Sequence, residues 1–442
     1  MSLARLDLRG IPASEMAAKV SRPVGGGDLP TEAVRAILAE VREGGDAAVR
    51  ELTRRFDGVA LDSLRVPHDE LDAAPDAVAP ELREALELAY SRILAYHGDE
   101  PAPEGEFELD GVTVRRMVRA VGRAGLYAPG GRARYPSTVL MCAAPARVAG
   151  VEELALCVPP ASDGSVATET LAAASIAGIN EVYRIGGAQA VAAMAFGTET
   201  VRAVDVVVGP GNRFVAEAKR QVSGVVGVPS AFAGPSEVVV VADGSVPAVW
   251  AAVDVVVQAE HGPDGLAWLV TWSEDVATAV LEQIDRLVAS SPRRPELDST
   301  LASGGSVVLV DGPAEAIALA NAVAPEHLEL LVEQAEALLP LVRSAGAVFL
   351  GPWSPASIGD YLAGPNHVLP TNRSARFSSA LRVDDFRTHI HAISVEPDSL
   401  RRLAPHVEAI AEAEGLPAHA LSVRLRAVGQ MDSGHSAKRG GR

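Results

Sequence analysis

Four segments hold polar side chains whose types and spacing could do chemistry. In VDVVVQAEHGPDG, Gln258 and His261 are three residues apart. They share a face if the run is helical and point to opposite sides if it is extended. Two nitrogen or oxygen donors one helical turn apart can grip one metal ion. In APEHLEL, Glu326 and His327 are adjacent and follow Pro325. A buried pair of this kind has two proton-transfer groups with separable pKa values, which suits two-step acid/base work. The stretch SPASIGDYLAGPNHVLPT follows a strand, is rich in Gly and Pro, and holds Asp360, Asn366 and His367. Loops at strand ends are where α/β proteins place their sites. Glu414 and His419 lie in EGLPAHA.

Gln, His, Asp and His drawn from separate segments would make a metal site of nitrogen and oxygen donors only. A zinc ion held by such a set, with Asp360 the one anion, keeps a net charge of about +1 and remains a strong Lewis acid. It would polarise an alcohol or carbonyl oxygen. A structural reading stands beside this one. His261 could bond a terminal carbonyl of its helix while Gln258 faces solvent. Pro325 and Glu326 could open a helix.

Three Gly-rich turns, GLYAPGGRARYPS, RIGGAQA and VVVGPGNRF, each fall where a strand ends. They would let backbone approach a pyrophosphate, with Arg132 and Arg134 adding charge. No G-x-G-x-x-G opens a helix after a strand, so tight βα turns that simply need glycine are the alternative.

These segments need a scaffold, and the sequence supplies one. With 442 residues the chain is too long for one core. Its 48% hydrophobic content is that of a globular protein, and its net charge of −18 argues against nucleic-acid and anionic-membrane surfaces. The opening MSLARLDLRGIPASEM lacks the apolar core of a secretory signal, and no run reaches the roughly 18 apolar residues that suggest a membrane span. The two cysteines, Cys142 and Cys157, lie far from any C-x-x-C spacing and read as buried residues of a reduced compartment. A cytoplasmic location is expected.

Residues 1–118 read as mostly helical, ending in the strand-like GVTVRRMVRAVGRAGLYAPG. From about 120 to 223 strands and helices alternate, the mark of a parallel sheet wrapped by helices. A second array starts at Ser236 with the strand SEVVVVAD. Ser245 is then expected to cap a helix running through VPAVWAAVDVVVQAEH. The fold class is α/β, with two tandem Rossmann-like parallel-sheet modules, a helical N-terminal segment and a small, mainly helical C-terminal segment. The tail GQMDSGHSAKRGGR reads as disordered.

Taken together, LYAPGGRARYPSTVLM, GGAQAVAAMAFGT, GPGNRFVAEAK, AGPSEVVVVAD, QAEHGPD, PEHLEL, GDYLAGPNHVLPT and EGLPAHA resemble, in order, the blocks of the histidinol dehydrogenase family. The likeness runs from about Arg35 to Val428. It implies a zinc-dependent homodimer that oxidises L-histidinol to L-histidine with two NAD⁺, through L-histidinaldehyde. By motif, Gln258, His261, Asp360 and His419 would bind zinc. Glu326 and His327 would be the acid/base pair. Ser236, His367 and Glu414 would hold substrate alongside the zinc ligands and His327, and Tyr127, Gln189 and Asn212 would touch NAD. Glu260 is left structural. The resemblance also implies that His419 and Glu414 complete the site of the partner chain. VPSAFAGPSE departs from the usual form of its block, and His389 and His391 in RTHIHAIS match no family role.

The expected division is an arm at 1–30 and a first α/β module of 31–119 with 234–375, carrying the zinc and acid/base residues. An NAD-binding module follows at 120–233, then a dimer-exchange segment at 376–428 and the tail at 429–442. Since active groups belong beyond strand C-termini, Glu326 and His327 are expected in a turn or short helix. Two other chemistries fit the same residues: a related dehydrogenase acting on another primary alcohol, such as a dihydroxypropane sulfonate, and a zinc hydrolase in which Glu326 activates water. An anionic substrate would call for arginines at its binding end. A non-catalytic scaffold held by a metal is the remaining alternative.

Overall fold

The computed structural model describes residues 3–19, 29–130, 134–230, 234, 236–260 and 265–429. His261, Arg132 and all of the tail beyond residue 429 lie outside them. In chain order, β1 (Ala4–Asp7) and α1 (Ala13–Lys19) precede three helices, α2 (Thr31–Phe56), α3 (His68–Ala77) and α4 (Pro80–Gly98). A hairpin of β2 (Gly105–Leu109) and β3 (Val112–Ala120) follows. Then strand and helix alternate through β4 (Arg123–Tyr127), α5 (Pro136–Ala149), β5 (Glu153–Val158), α6 (Thr168–Ile176), β6 (Glu181–Arg184), α7 (Gly187–Phe196), β7 (Val206–Val208) and α8 (Arg213–Val222). The second array comprises β8 (Glu237–Ala242), α9 (Ala248–Ala259), β9 (Leu266–Thr271), α10 (Glu274–Ser290), α11 (Arg294–Gly304), β10 (Gly305–Leu309), α12 (Pro313–Val323), β11 (His327–Leu331), α13 (Ala335–Leu338), β12 (Ala347–Leu350) and α14 (Ala356–Tyr361). The chain closes with β13 (Arg387–Val395), α15 (Pro397–Ala413) and α16 (Pro417–Val428).

The chain divides into two compact units. The larger takes in residues up to Glu100 together with Ala120–Phe386, and contains two parallel sheets. The four-stranded sheet has the order β6-β5-β4-β7, the six-stranded one β1-β10-β9-β8-β11-β12. The period-2 alternation of strands sorts each sheet's side chains onto two faces. Leu154, Leu156 and Val158 of β5 join one core with α3–α6, while Ala155 and Cys157 join the other with α2, α7 and α8. On the six-stranded sheet, Val238 and Val240 face α9–α11, and Val239 and Val241 face α1 and α12. Both cysteines are free and buried, which pushes each thiol up to about 12.

This arrangement corrects the expected division. The helices of residues 31–98 cover the four-stranded sheet: α2 packs on α7 and α8, α3 on α6, and α4 on α5. They do not belong with residues 234–375. The N-terminal arm supplies β1, an edge strand paired in parallel with β10. The smaller unit combines the hairpin 101–119 with the described residues from Arg387 onward. Its β13 joins β3 and β2 in a three-stranded sheet, so RTHIHAIS, with its exposed His389 and His391, is strand where a helical segment was expected.

Candidate active site

The site is built at the amino-terminal edge of the six-stranded sheet. A crossover helix runs antiparallel to its strands, so the C-terminal end of α9 returns to the edge where β8 and β11 begin. The expected helix start at Ser245 is displaced. The Ser245 N–H bonds Asp243 Oδ1 at 2.8 Å, and α9 begins after Pro247 with no side-chain cap. Gln258 is its penultimate residue, 3% exposed, and its amide nitrogen has no hydrogen-bond partner among the described residues.

His327 is the first residue of β11 and Glu326 immediately precedes it. The pair therefore stands at the amino end of a central strand, not in the turn or short helix expected. Leu328 and Leu330 fill the core on one side of β11, and the strand is paired on both edges, with β8 and β12. That packing fixes residues 327–331 as strand. The rule about strand C-termini fails here because the polar end of α9 meets the sheet at the opposite edge.

The two side chains of the pair have different partners. His327 Nδ1 lies 3.2 Å from the Glu237 carbonyl oxygen, which can only accept, so Nδ1 carries the proton. Nε2 is left as the basic nitrogen. It is buried without a hydrogen-bond partner among the described residues, 3.6 Å from Asp360 Oδ1. Glu326 Oε2 accepts the Glu237 N–H at 3.1 Å and lies 3.6 Å from His327 Nδ1. Burial pushes the Glu326 carboxyl up to about 7, with His327 pulling the other way. Burial disfavours the His327 cation, but Glu326, Asp360 and the Glu237 carbonyl outweigh it and raise the imidazole to about 9. The His327 ring stacks on Phe349 with centroids 5.9 Å apart.

Asp360 lies in α14, a short helix inside the stretch expected to be irregular. Its carbonyl oxygen accepts His367 Nδ1–H at 2.8 Å, and His367 Nε2 is 3.3 Å from Thr138 Oγ1. Both ring nitrogens of His367, expected to meet substrate, thus tie its loop to α14 and α5. Asn366 is buried and donates to the Met141 carbonyl at 2.6 Å. Ser236, half-buried, directly precedes β8. A cleft of about 480 Å³ opens beside Asp360, lined by Tyr135, Glu260, Arg293, Tyr361 and the apolar face of α4. Glu260, left structural above, therefore faces the cleft.

Glu414 and His419 belong to the smaller unit. Glu414 caps the C-terminus of α15 and His419 lies in the first turn of α16, both exposed. Among the described residues no three His, Cys, Asp or Glu side chains cluster as a metal site. His261 lies outside those residues. The donor set still suits zinc: Gln258 is buried with an amide nitrogen that bonds none of the described residues, and Asp360 supplies an anion beside the cleft.

The expected cofactor residues gather at the carboxyl edge of the four-stranded sheet. Its order reverses between β4 and β7, the crevice where α/β sheets bind ligands. Tyr127 ends β4, and its hydroxyl accepts the Gly187 N–H at 3.1 Å. Gln189 in α7 is buried, its amide 3.5 Å from Asp57. Asn212 caps α8, accepting from the Phe214 and Val215 N–H groups at 3.0 and 3.1 Å. A Cβ on Gly209 would lie 2.0 Å from the Tyr127 carbonyl oxygen, at φ +107°, so this close approach requires glycine. Arg134 pairs with Glu169.

Lys219, unnoticed in the sequence, is buried beneath this crevice. Its Nζ bonds the carbonyls of Gly209 at 2.9 Å and Ser230 at 2.6 Å, and burial pulls it down to about 8. It shares a helix face with Val215 and Val222, an apolar stripe on which a lysine is out of place.

A sequence profile of histidinol dehydrogenase matches residues 26–427. The chain belongs to the histidinol dehydrogenase family. It is 50% identical to the histidinol dehydrogenase of Parasynechococcus marenigrum over 394 residues, 89% of this chain and 90% of that one. It is 46% identical to that of Chlorobium chlorochromatii over 415 residues, 94% of this chain and 97% of the relative. The crystal structure of histidinol dehydrogenase from Elizabethkingia anophelis superposes with a TM-score of 0.91 at 35% identity, covering 96% of this chain and 98% of that one. The α/β architecture is thus that of histidinol dehydrogenase. None of the helices described is long and apolar enough to cross a membrane.

Proposed function

We propose that this chain oxidises L-histidinol to L-histidine in two NAD-linked steps at a zinc site, as a homodimer in the cytoplasm. The carrying observation is the buried His327–Glu326 pair beside Asp360, in a chain of this family. Gln258, His261, Asp360 and the partner chain's copy of His419 would hold the zinc, and Tyr127, Gln189 and Asn212 would contact NAD. Bound there, zinc would polarise the substrate oxygen and NAD⁺ would accept hydride.

The protein's own groups would move the protons. His327 Nε2 takes the hydroxyl proton of the primary alcohol as the C–H bond gives up hydride, leaving the aldehyde. Glu326 then takes a proton from the water that adds to the aldehyde carbon. Once its first proton has passed to solvent, His327 serves again as base when the resulting hydrate loses hydride and becomes the carboxylic acid. The balance is one water consumed and four electrons passed to two NAD⁺. With Cys142 and Cys157 buried and their thiols pushed up to about 12, a thiohemiacetal route lacks a nucleophile.

Exposed Glu414 and His419, together with exposed Ile393, Ile410, Leu425 and Val428, support a smaller unit that meets a second copy of the chain. Subunit exchange between inactive His419→Ala and His261→Ala proteins should restore activity if His419 acts across the dimer. Continued inactivity after verified exchange would reject the crossed arrangement.

Arg293 in the cleft lining keeps an anionic diol in contention. The test is NADH formation, followed at about 340 nm, with L-histidinol and dihydroxypropane sulfonate side by side. Turnover of histidinol alone supports the proposal, and turnover of the sulfonate alone rejects it.

A further inference from the structure

Lys219 is 4% exposed and sits on the apolar stripe that α8 turns toward its core. Its Nζ bonds the carbonyls of Gly209 at 2.9 Å and Ser230 at 2.6 Å, and both acceptors are neutral. Neutral carbonyls only partly offset the burial of an ammonium, and a methionine would fill the same stripe without that penalty. What the amine adds is a link between two chain segments.

Those segments run side by side before they reach it. The Gly227 N–H bonds the Asp205 carbonyl at 2.7 Å, and the Val207 N–H bonds the Gly227 carbonyl at 2.9 Å, so the chain at Gly227 lies parallel to β7. Past the end of β7, Lys219 Nζ bridges the two chains, at Gly209 on one and Ser230 on the other. Gly209 is held from a second side by its close approach to the Tyr127 carbonyl. It opens the turn Gly209-Pro210-Gly211-Asn212, whose last residue caps α8. With two glycines, this turn has wide backbone freedom unless something anchors it. An unanchored turn must be ordered when a ligand binds, and that ordering subtracts from affinity.

We propose that Lys219 is a positioning residue for the cofactor: it anchors Gly209 to Ser230 and so preorganises the turn that carries Asn212. This rests on the reading of the crevice above it as the NAD site. Lys219 is buried beneath that crevice, so its effect passes through the turn and not through contact with the cofactor.

The experiment measures NADH binding to the full-length protein without histidinol, by anisotropy of NADH fluorescence, alongside thermal unfolding and steady-state kinetics. Lys219→Met keeps an apolar stem and removes both bonds. It should weaken NADH binding by about tenfold or more and raise the NAD⁺ KM likewise, with the histidinol KM within about threefold of wild type. Lys219→Gln retains one amide donor and should weaken NADH binding by about threefold or more, which keeps the test open if the Met variant does not fold. Val222→Ala thins the same apolar stripe and should lower the melting temperature while NADH affinity stays within about threefold of wild type. Unchanged NADH affinity in whichever Lys219 variant folds would reduce the amine to a core contact and overturn the proposal. An equal loss of affinity in Val222→Ala, a histidinol KM that rises as much as the NAD⁺ KM, or failure of both Lys219 variants to fold would overturn it as well. Absence of NADH binding by the wild-type protein would instead overturn the NAD reading, and this inference with it.

Discussion

His327 Nδ1 is bonded to the backbone carbonyl of Glu237, one strand away, and this contact leaves Nε2 as the unprotonated nitrogen of the neutral ring. Because the carbonyl belongs to the first residue of β8, the tautomer is set by sheet register. His327→Asn places an amide N–H near the Nδ1 position and deletes the Nε2 base. It should keep its melting temperature and lose about 10²–10⁴-fold in both half-reactions. His327→Gln, which mimics Nε2 and loses the anchor, should be less stable. Retention of either half-reaction by the Asn variant would remove His327 from that step.

In the proposed reaction Glu326 would have a narrower task, because only the aldehyde step consumes water. Glu326→Gln still accepts the Glu237 N–H but cannot take a proton. Oxidation of supplied histidinaldehyde should fall by about 10² or more, while single-turnover oxidation of histidinol falls far less. Equal losses measured by rapid-mixing kinetics would sink this division of labour.

Gly359 sets how closely α14 approaches Phe349. A Cβ there would lie 2.5 Å from Cε1 of Phe349, the ring stacked against His327. Gly359→Ala should therefore cost about 1–3 kcal/mol in chemical denaturation and depress kcat, the usual scale of overpacking. Adding Phe349→Leu should recover part of both losses. Strict additivity in the double-mutant cycle would show that the two positions are not coupled.

Away from the site, Arg123 is buried at the amino edge of the four-stranded sheet and pairs with Glu181 at 2.6 Å. Burial works against the Glu181 carboxylate, but hydrogen bonds from Arg123, Tyr183 and Arg202 outweigh it and lower its pKa to about 2. The folded pKa lies below the unfolded value of 4.5, so this stabilisation is complete above pH 4.5 and is lost as the pH falls toward 2. Glu181→Gln should destabilise the protein by about 3 kcal/mol at pH 7 and flatten stability between pH 4.5 and 2. An unchanged acid limb in urea titrations at several pH values would contradict this assignment.

The βα alternation was legible because SEVVVVAD and EELALCV are strands buried on both faces, with glycines closing the turns. The pairing of Glu326 with His327 was legible because the two are adjacent. The partners of α2, α3 and α4 were not, since an amphipathic stripe shows that a helix packs and not which sheet it packs on. The placement of EHLEL was missed by applying a rule about strand C-termini to a site that uses the opposite edge. Glu329 carried a signal that could have been read, a carboxylate on the His327 face of a central strand. Ala356, whose N–H Glu329 accepts, lies 27 residues after it, too far apart for spacing to join them.

A four-electron oxidation by one His–Glu pair can be read from the NADH formed per L-histidinol consumed under limiting substrate, with product identified by mass spectrometry. Two NADH and one L-histidine are expected for each histidinol. One NADH with accumulation of histidinaldehyde, or no NADH from histidinol at all, would contradict it.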